Sequence, residues 1–148
     1  EKKMAEEWRL LTQEGQFKCK TSSTLAPASL YSSKNMFDNN HDTCWNSDQG
    51  TSQSITFDFQ KSVVPQSIKF VFQGGFVGQE GYVETGDQFD KLAKLCDIHT
   101  LSDNNDLQTI SLDNTVNNTS GRYLRITFPS STDFYGRITI YSLEIWGK

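Results

Sequence analysis

Ile138-Thr139-Ile140-Tyr141-Ser142-Leu143-Glu144-Ile145-Trp146-Gly147 contains two alternations that are out of phase. Ile138 and Ile140 fall on one face of an extended chain, and Leu143 and Ile145 fall on the opposite parity. Strand side chains alternate with period two, so one inserted residue turns the pattern over. The spacing predicts a long strand with a β-bulge at Tyr141–Ser142, bent so that both halves serve one core.

The same period recurs upstream. Ile55, Phe57 and Phe59 alternate with Ser54, Thr56 and Asp58. Ile68, Phe70 and Phe72 follow the rule, as do Leu124, Ile126 and Phe128, and Ile110 with Leu112 marks a further strand. Each pattern predicts a half-buried strand with one face on a core. Ile55, Phe57, Ile68, Phe70, Ile126 and Ile138 are expected to point inward. Phe89, Leu92, Ala93 and Cys96 instead follow a helical spacing, while Cys96 and Ile98 alternate. A strand over 94–100 after a helical turn is the expectation there. Asn/Asp/Gly/Ser clusters at 38–42, 47–50, 73–75, 102–106 and 117–121 separate the strands. Short strands joined by such turns form an antiparallel sandwich or barrel. Residues 1–16 are charged, with a small cluster of Trp8, Leu10 and Leu11, and read as a loosely attached segment ahead of a domain over 17–148.

A chain of 148 residues holds one domain. Its net charge of -4 excludes a phosphate-tracking nucleic-acid surface and weighs against anionic membranes. No apolar run approaches the roughly 18 residues of a membrane span. Glu1-Lys2-Lys3-Met4 precedes no apolar stretch of the signal-peptide kind. Cys19, Cys44 and Cys96 are odd in number and form no C-x-x-C, so they read as reduced structural thiols of a reducing compartment. The glycosylation patterns at Asn117 and Asn118 are discounted for the same reason. With two histidines and no nucleophile or phosphate-loop motif, catalysis is not expected. A Cys44–His41 dyad is discounted because Cys44 adjoins Trp45 in a segment that reads as packed.

Asp38-Asn39-Asn40-His41-Asp42-Thr43-Cys44-Trp45-Asn46-Ser47 resembles the discoidin domain, the type-C module of coagulation factors V and VIII. Arg122-Tyr123-Leu124-Arg125-Ile126 and the terminal Ile140–Gly147 run are similar to two further strands of that family. The resemblance spans about 17–147 and implies an antiparallel jelly-roll β-sandwich of about eight strands. Cys44–Gly50, Phe72–Phe76, Asn105–Thr109 and Thr132–Arg137 resemble an intracellular, single-domain branch of the family that partners a nuclear receptor. That branch implies a non-catalytic protein-interaction module of the cytoplasm or nucleus. Secreted members close the domain with a disulfide between its ends, which this chain lacks. A galactose-type carbohydrate-binding module and a subunit of a larger assembly are the alternatives.

Two candidate sites follow. Asp38, Asn40, Asp42 and Thr43 crowd oxygens into one turn, and hard cations take oxygen ligands. The resemblance implies a structural Ca2+ held by Asp38, Thr43 and Glu144, with the Asn40 carbonyl. His41 stands where many members have Pro, and the plain alternative is a turn capped by its own side chains. The second site is the Gly-bracketed loop Gln73-Gly74-Gly75-Phe76-Val77-Gly78. Gln73 opens it, and Phe76 and Val77 are expected to project from its tip toward a partner, unless Phe76 folds back over the sandwich end. In Thr132–Arg137, Phe134 and Tyr135 cannot both face inward. Tyr135 and Arg137 are therefore added to the contact set, with Arg137 pairing locally to Asp133. Trp45 and Trp146 read as core rather than sugar platforms.

Overall fold

Aromatic and β-branched residues at every second position give each strand one apolar side to bury, and two sheets so patterned close face to face. The computed structural model describes residues 8–148. Its strands are β1 (Arg9–Leu10), β2 (Lys18–Thr21), β3 (Trp45–Asn46), β4 (Gln53–Val63), β5 (Pro65–Phe72) and β6 (Gly78–Gln79). They continue with β7 (Tyr82–Gln88), β8 (Lys91–Asp97), β9 (Leu107–Ser111), β10 (Gly121–Phe128), β11 (Ser130–Ser131) and β12 (Thr139–Gly147). A short helix, α1 (Ala28–Tyr31), and a 3-10 turn at Ser33–Phe37 lie between β2 and β3.

One sheet runs β1-β12-β5-β9, with β3 also paired to β12; the other runs β2-β4-β10-β7-β8. β6 and β11 make a small ribbon at one end. All pairings are antiparallel, and eight of the strands have four residues or more, as a jelly-roll sandwich requires. The six side chains expected to point inward are all buried. Phe70, Phe72 and Phe128 meet across the two sheets, with ring centroids 5.0–5.9 Å apart. The bulge lies where the alternation slipped: Ile140 pairs with Phe72, but Ser142 pairs with Val71.

Two segments differ from expectation. Residues 91–97 form a full strand, with Val83 opposite Cys96 and Thr85 opposite Ala93. Pairing with β7 satisfies that backbone, and a few helix-spaced apolar residues are too short to nucleate a helix. The N-terminal segment is also not loose over residues 9–12. Arg9 and Leu10 pair with Gly147 and Trp146, covering the edge of β12 away from β5. Leu11 is 2 % exposed in the core, and its N–H donates to the Ile145 carbonyl at 2.8 Å. Residues 9–12 are therefore attached to the sandwich, and residues 1–7 lie outside the described part. No helix among the described residues is long and apolar enough to cross a membrane.

Candidate functional site

Gly74 and Gly75 do not leave their loop free. The Gly74 N–H donates to Asn105 Oδ1 at 2.8 Å, and the Gly75 N–H donates to Asp103 Oδ1 at 2.7 Å. Phe76 N–H closes a turn on the Gln73 carbonyl at 3.0 Å. The Val77 N–H donates to Thr132 Oγ1 at 3.0 Å, and its carbonyl accepts from the Thr132 N–H at 2.9 Å. These bonds rotate the loop so that Val77 is 0 % exposed, which corrects the expectation that it projects. Its side chain belongs to the core. Phe76 is half-buried, close to the fold-back alternative. Gln73 is half-buried and anchors the turn through its backbone, its N–H donating to the Thr139 carbonyl at 3.0 Å.

The adjoining turn, 132–137, is built on Asp133. Its carboxylate accepts from the Tyr135 N–H at 3.2 Å and the Arg137 N–H at 3.1 Å. It also takes a two-pronged bond from Arg137, Nε to Oδ2 at 2.9 Å and Nη2 to Oδ1 at 3.0 Å. That guanidinium holds the Asp133 carboxyl below the usual carboxylate range. Gly136 has φ +82, and a Cβ there would sit 2.6 Å from the Gly50 carbonyl oxygen, so only glycine lets the turn close.

The rings that the turn presents are the site's main feature. Phe134 is 92 % exposed and Tyr135 57 %, in edge-to-face contact with centroids 5.2 Å apart. Arg137 lies between Phe76 and Tyr135, 5.4 and 5.5 Å from the two ring centroids. Phe76, Tyr135 and Arg137 thus come together as expected. Strand alternation in the sequence frees only one of Phe134 and Tyr135, whereas the turn exposes both. Asp103 and Asn105, which pin the glycines, signal only a turn in the sequence, through the Asx-rich composition of 102–106.

At the other candidate site, the oxygens of Asp38, Asn40 and Thr43 converge. Thr43 Oγ1 is 2.5 Å from Asp38 Oδ2 and 3.0 Å from the Asn40 carbonyl oxygen. Asp38 Oδ1 also accepts from the Asn40 N–H, and Asn40 Oδ1 from the Asp42 N–H. The turn is closed by hydrogen bonds that the Thr43 hydroxyl donates, and its oxygens are of the hard type that calcium takes. Glu144 Oε1 instead accepts from the Trp146 indole N–H at 3.0 Å. Trp146 is therefore not core: it is half-buried on the sheet's outer side, with Lys69 Nζ 5.5 Å from its ring centroid. Trp45 is fully buried, its indole N–H donating to the Ser23 carbonyl.

The three cysteines are half-buried. All three are free. Burial pushes the Cys19 thiol up to about 12 and raises Cys44 and Cys96 as well, so thiolate is scarce near neutrality. Neither histidine makes a side-chain hydrogen bond with Cys44 among the described residues.

Residues 18–142 match the F5/8 type C domain. The chain is similar to the nuclear receptor 2C2-associated protein of Bos taurus, 38% identical over 118 residues, which are 80% of this chain and 81% of that one. It is 36% identical to the Homo sapiens protein of that name over the same shares. Among solved structures, the family 32 carbohydrate-binding module of NanJ from C. perfringens, in complex with galactose, superposes with TM-score 0.73 at 16% identity. That match covers 94% of this chain and 98% of the module. The fucolectin of Morone saxatilis, the striped bass, superposes with TM-score 0.69 at 16% identity, over 89% of this chain and 47% of that one. With its sandwich, its loop end and the match over most of its length, the chain belongs to the F5/8 type C domain family.

Proposed function

We propose that the chain is a non-catalytic module that binds a protein partner through the sandwich end bearing Phe134 and Tyr135. The observation behind this is a pair of adjacent aromatic rings, 92 % and 57 % exposed, on a turn braced by Asp133. Rigid aromatic anchors lose little entropy when they are buried, which is why interface hot spots favour them. The partner class is a nuclear receptor, the association for which the relatives are named. The same reading puts the protein in the nucleus and cytoplasm. In a titration against a purified orphan nuclear receptor, Phe134→Ala with Tyr135→Ala should weaken binding about thirtyfold or more. The melting temperature should hardly move. Unchanged affinity would remove the site.

A galactose-type glycan is the second reading, favoured by a cation held between two rings at the loop end. Against it, two of the nitrogens of Arg137 are already committed to Asp133. Glycan-array binding that Tyr135→Ala abolishes would replace the protein reading.

A structural Ca2+ at the Asp38–Thr43 turn belongs to the proposal. Asp38, Thr43 and the Asn40 carbonyl would hold it, and the ion would tie the turn together. Calcium at about a hundred times its dissociation constant adds about 2.7 kcal/mol. For this size of domain that raises melting by several degrees. Asp38→Ala should remove the rise, and a melting curve indifferent to chelator and calcium would refute the site.

A further inference from the structure

The outer face of the β2-β4-β10-β7-β8 sheet carries a second concavity, of about 340 Å³, formed by none of the loop-end residues. Its floor follows from strand register. Lys20 stands opposite Thr56, Thr56 opposite Arg125, and Arg125 opposite Glu84. One row of side chains therefore crosses four strands. Phe89, in the turn between β7 and β8, forms one wall.

Arg125 is fixed but not spent. Its Nε donates to Thr56 Oγ1 at 3.1 Å, and its guanidinium lies 5.1 Å from the Phe89 ring centroid. Among the described residues neither of its Nη groups donates a hydrogen bond. Glu84, its neighbour across the ladder, is not within ion-pair distance. Asp58, the nearby carboxylate on β4, is taken by Arg122 through bonds of 2.8 and 3.0 Å. Lys94, opposite Glu84 on β8, is paired with Asp97. Among the described residues the groove is thus lined by two cations without an ion-pair partner, Lys20 and Arg125, against one carboxylate, in a chain of net charge -4.

We propose that this groove binds an extended acidic peptide, seating one carboxylate on the Nη groups of Arg125 beside Lys20. A planar guanidinium held by stacking presents its donors as a fork that fits a carboxylate. From β2 to β7 is three strand spacings, about 14 Å, the reach of about four extended residues. The cations over the two lining rings favour an anionic ligand over a neutral sugar. Arg125 lies over one face of the Phe89 ring, and Lys94 over one face of the Tyr82 ring at 5.9 Å from the centroid. Glu84 closes the far end and repels acid, which sets the carboxylate on the Lys20 side.

The test is fluorescence anisotropy with labelled tetraglutamate and, as its uncharged counterpart, labelled tetraglutamine. Tetraglutamate should bind at low salt at least about tenfold tighter than tetraglutamine, and 0.5 M salt, added at about that level, should release it. Arg125→Met should cost at least about tenfold, whereas Glu84→Gln should tighten binding. Opposite signs at two neighbours separate a binding role from a folding one. If Arg125→Met does not fold, Lys20→Gln provides the same loss. Phe134→Ala, at the other site, should leave tetraglutamate binding unchanged, so this proposal and the proposed function fail separately. Equal binding of the two peptides, indifference to both cation variants, or binding of oligouronate or inorganic phosphate in place of tetraglutamate would overturn it.

Discussion

Cys19 shows how much a single environment changes a side chain. It faces Phe57 across the β2–β4 ladder and packs against the core, and the cost of putting a thiolate there raises its pKa to about 12. A hydrogen bond from Ser33 pulls the other way and is the smaller effect. In the unfolded chain the thiol ionises near 9. The folded state keeps the proton longer, so the stabilisation is complete below pH 9 and is lost as pH rises from 9 towards 12. Melting temperatures at pH 8 and about pH 10.5 should therefore differ more in the wild type than in Cys19→Ala, since only the wild type has this proton to lose. Equal differences would show that Cys19 does not feel its burial. Phe70 tests the core directly. It is fully buried among Phe72 and Phe128, and Phe70→Ala should cost about 3–5 kcal/mol by denaturant unfolding. Val77 marks the limit of reading one residue at a time. Its glycine-rich surroundings pointed outward, and only the hydrogen bonds that the Val77 and Gly75 N–H groups donate to Thr132 and Asp103, 55 and 28 positions away, turn it in.

Among the elements, strands were legible where a two-residue period could be counted. The β12 bulge is the clearest case, because a phase slip in sequence becomes a register shift between Ile140 and Ser142. β8 was only half legible. Its helical spacing is a local property, while its pairing with β7 is tertiary, and pairing decides for so short a segment. The 132–137 turn shows the same division. The Asp133–Arg137 bond was readable as an i,i+4 pair, but the exposure of both Phe134 and Tyr135 depends on the turn's closure at Gly136. Asp133→Ala removes the acceptor for the Tyr135 and Arg137 amides at once. Hydrogen exchange at those two amides should accelerate while the amides of β10 keep their protection. Acceleration spread evenly over the sheet would show that Asp133 supports the fold rather than the turn. The transverse row Lys20–Thr56–Arg125–Glu84 could not be read at all, since it exists only once four strands are in register.

For the whole molecule, the sandwich was predictable because its strands are mutually consistent, whereas the closure by β1 was not. Two residues carry too little pattern to be read as a strand, and their place follows from an edge of β12 that needs covering. Deleting residues 1–11 should lower the melting temperature by several degrees. Burying one Leu is worth about 1.5–3 kcal/mol, and two ladder positions are lost with it. An unchanged melting temperature would mean that β1 adds nothing to the sandwich. The pairing of Arg9 with Gly147 also has a mechanical side. β1 and β12 run antiparallel with their outer ends at the same end of the ladder. Tension applied at residues 9 and 148 therefore peels one rung at a time instead of shearing all of them together. The long β4–β10 ladder, which spans from Gly121 opposite Val63 to Phe128 opposite Gln53, is not in the direct line of that load. Pulled from its two ends, the domain should yield at low force, beginning where its first described strand meets its last.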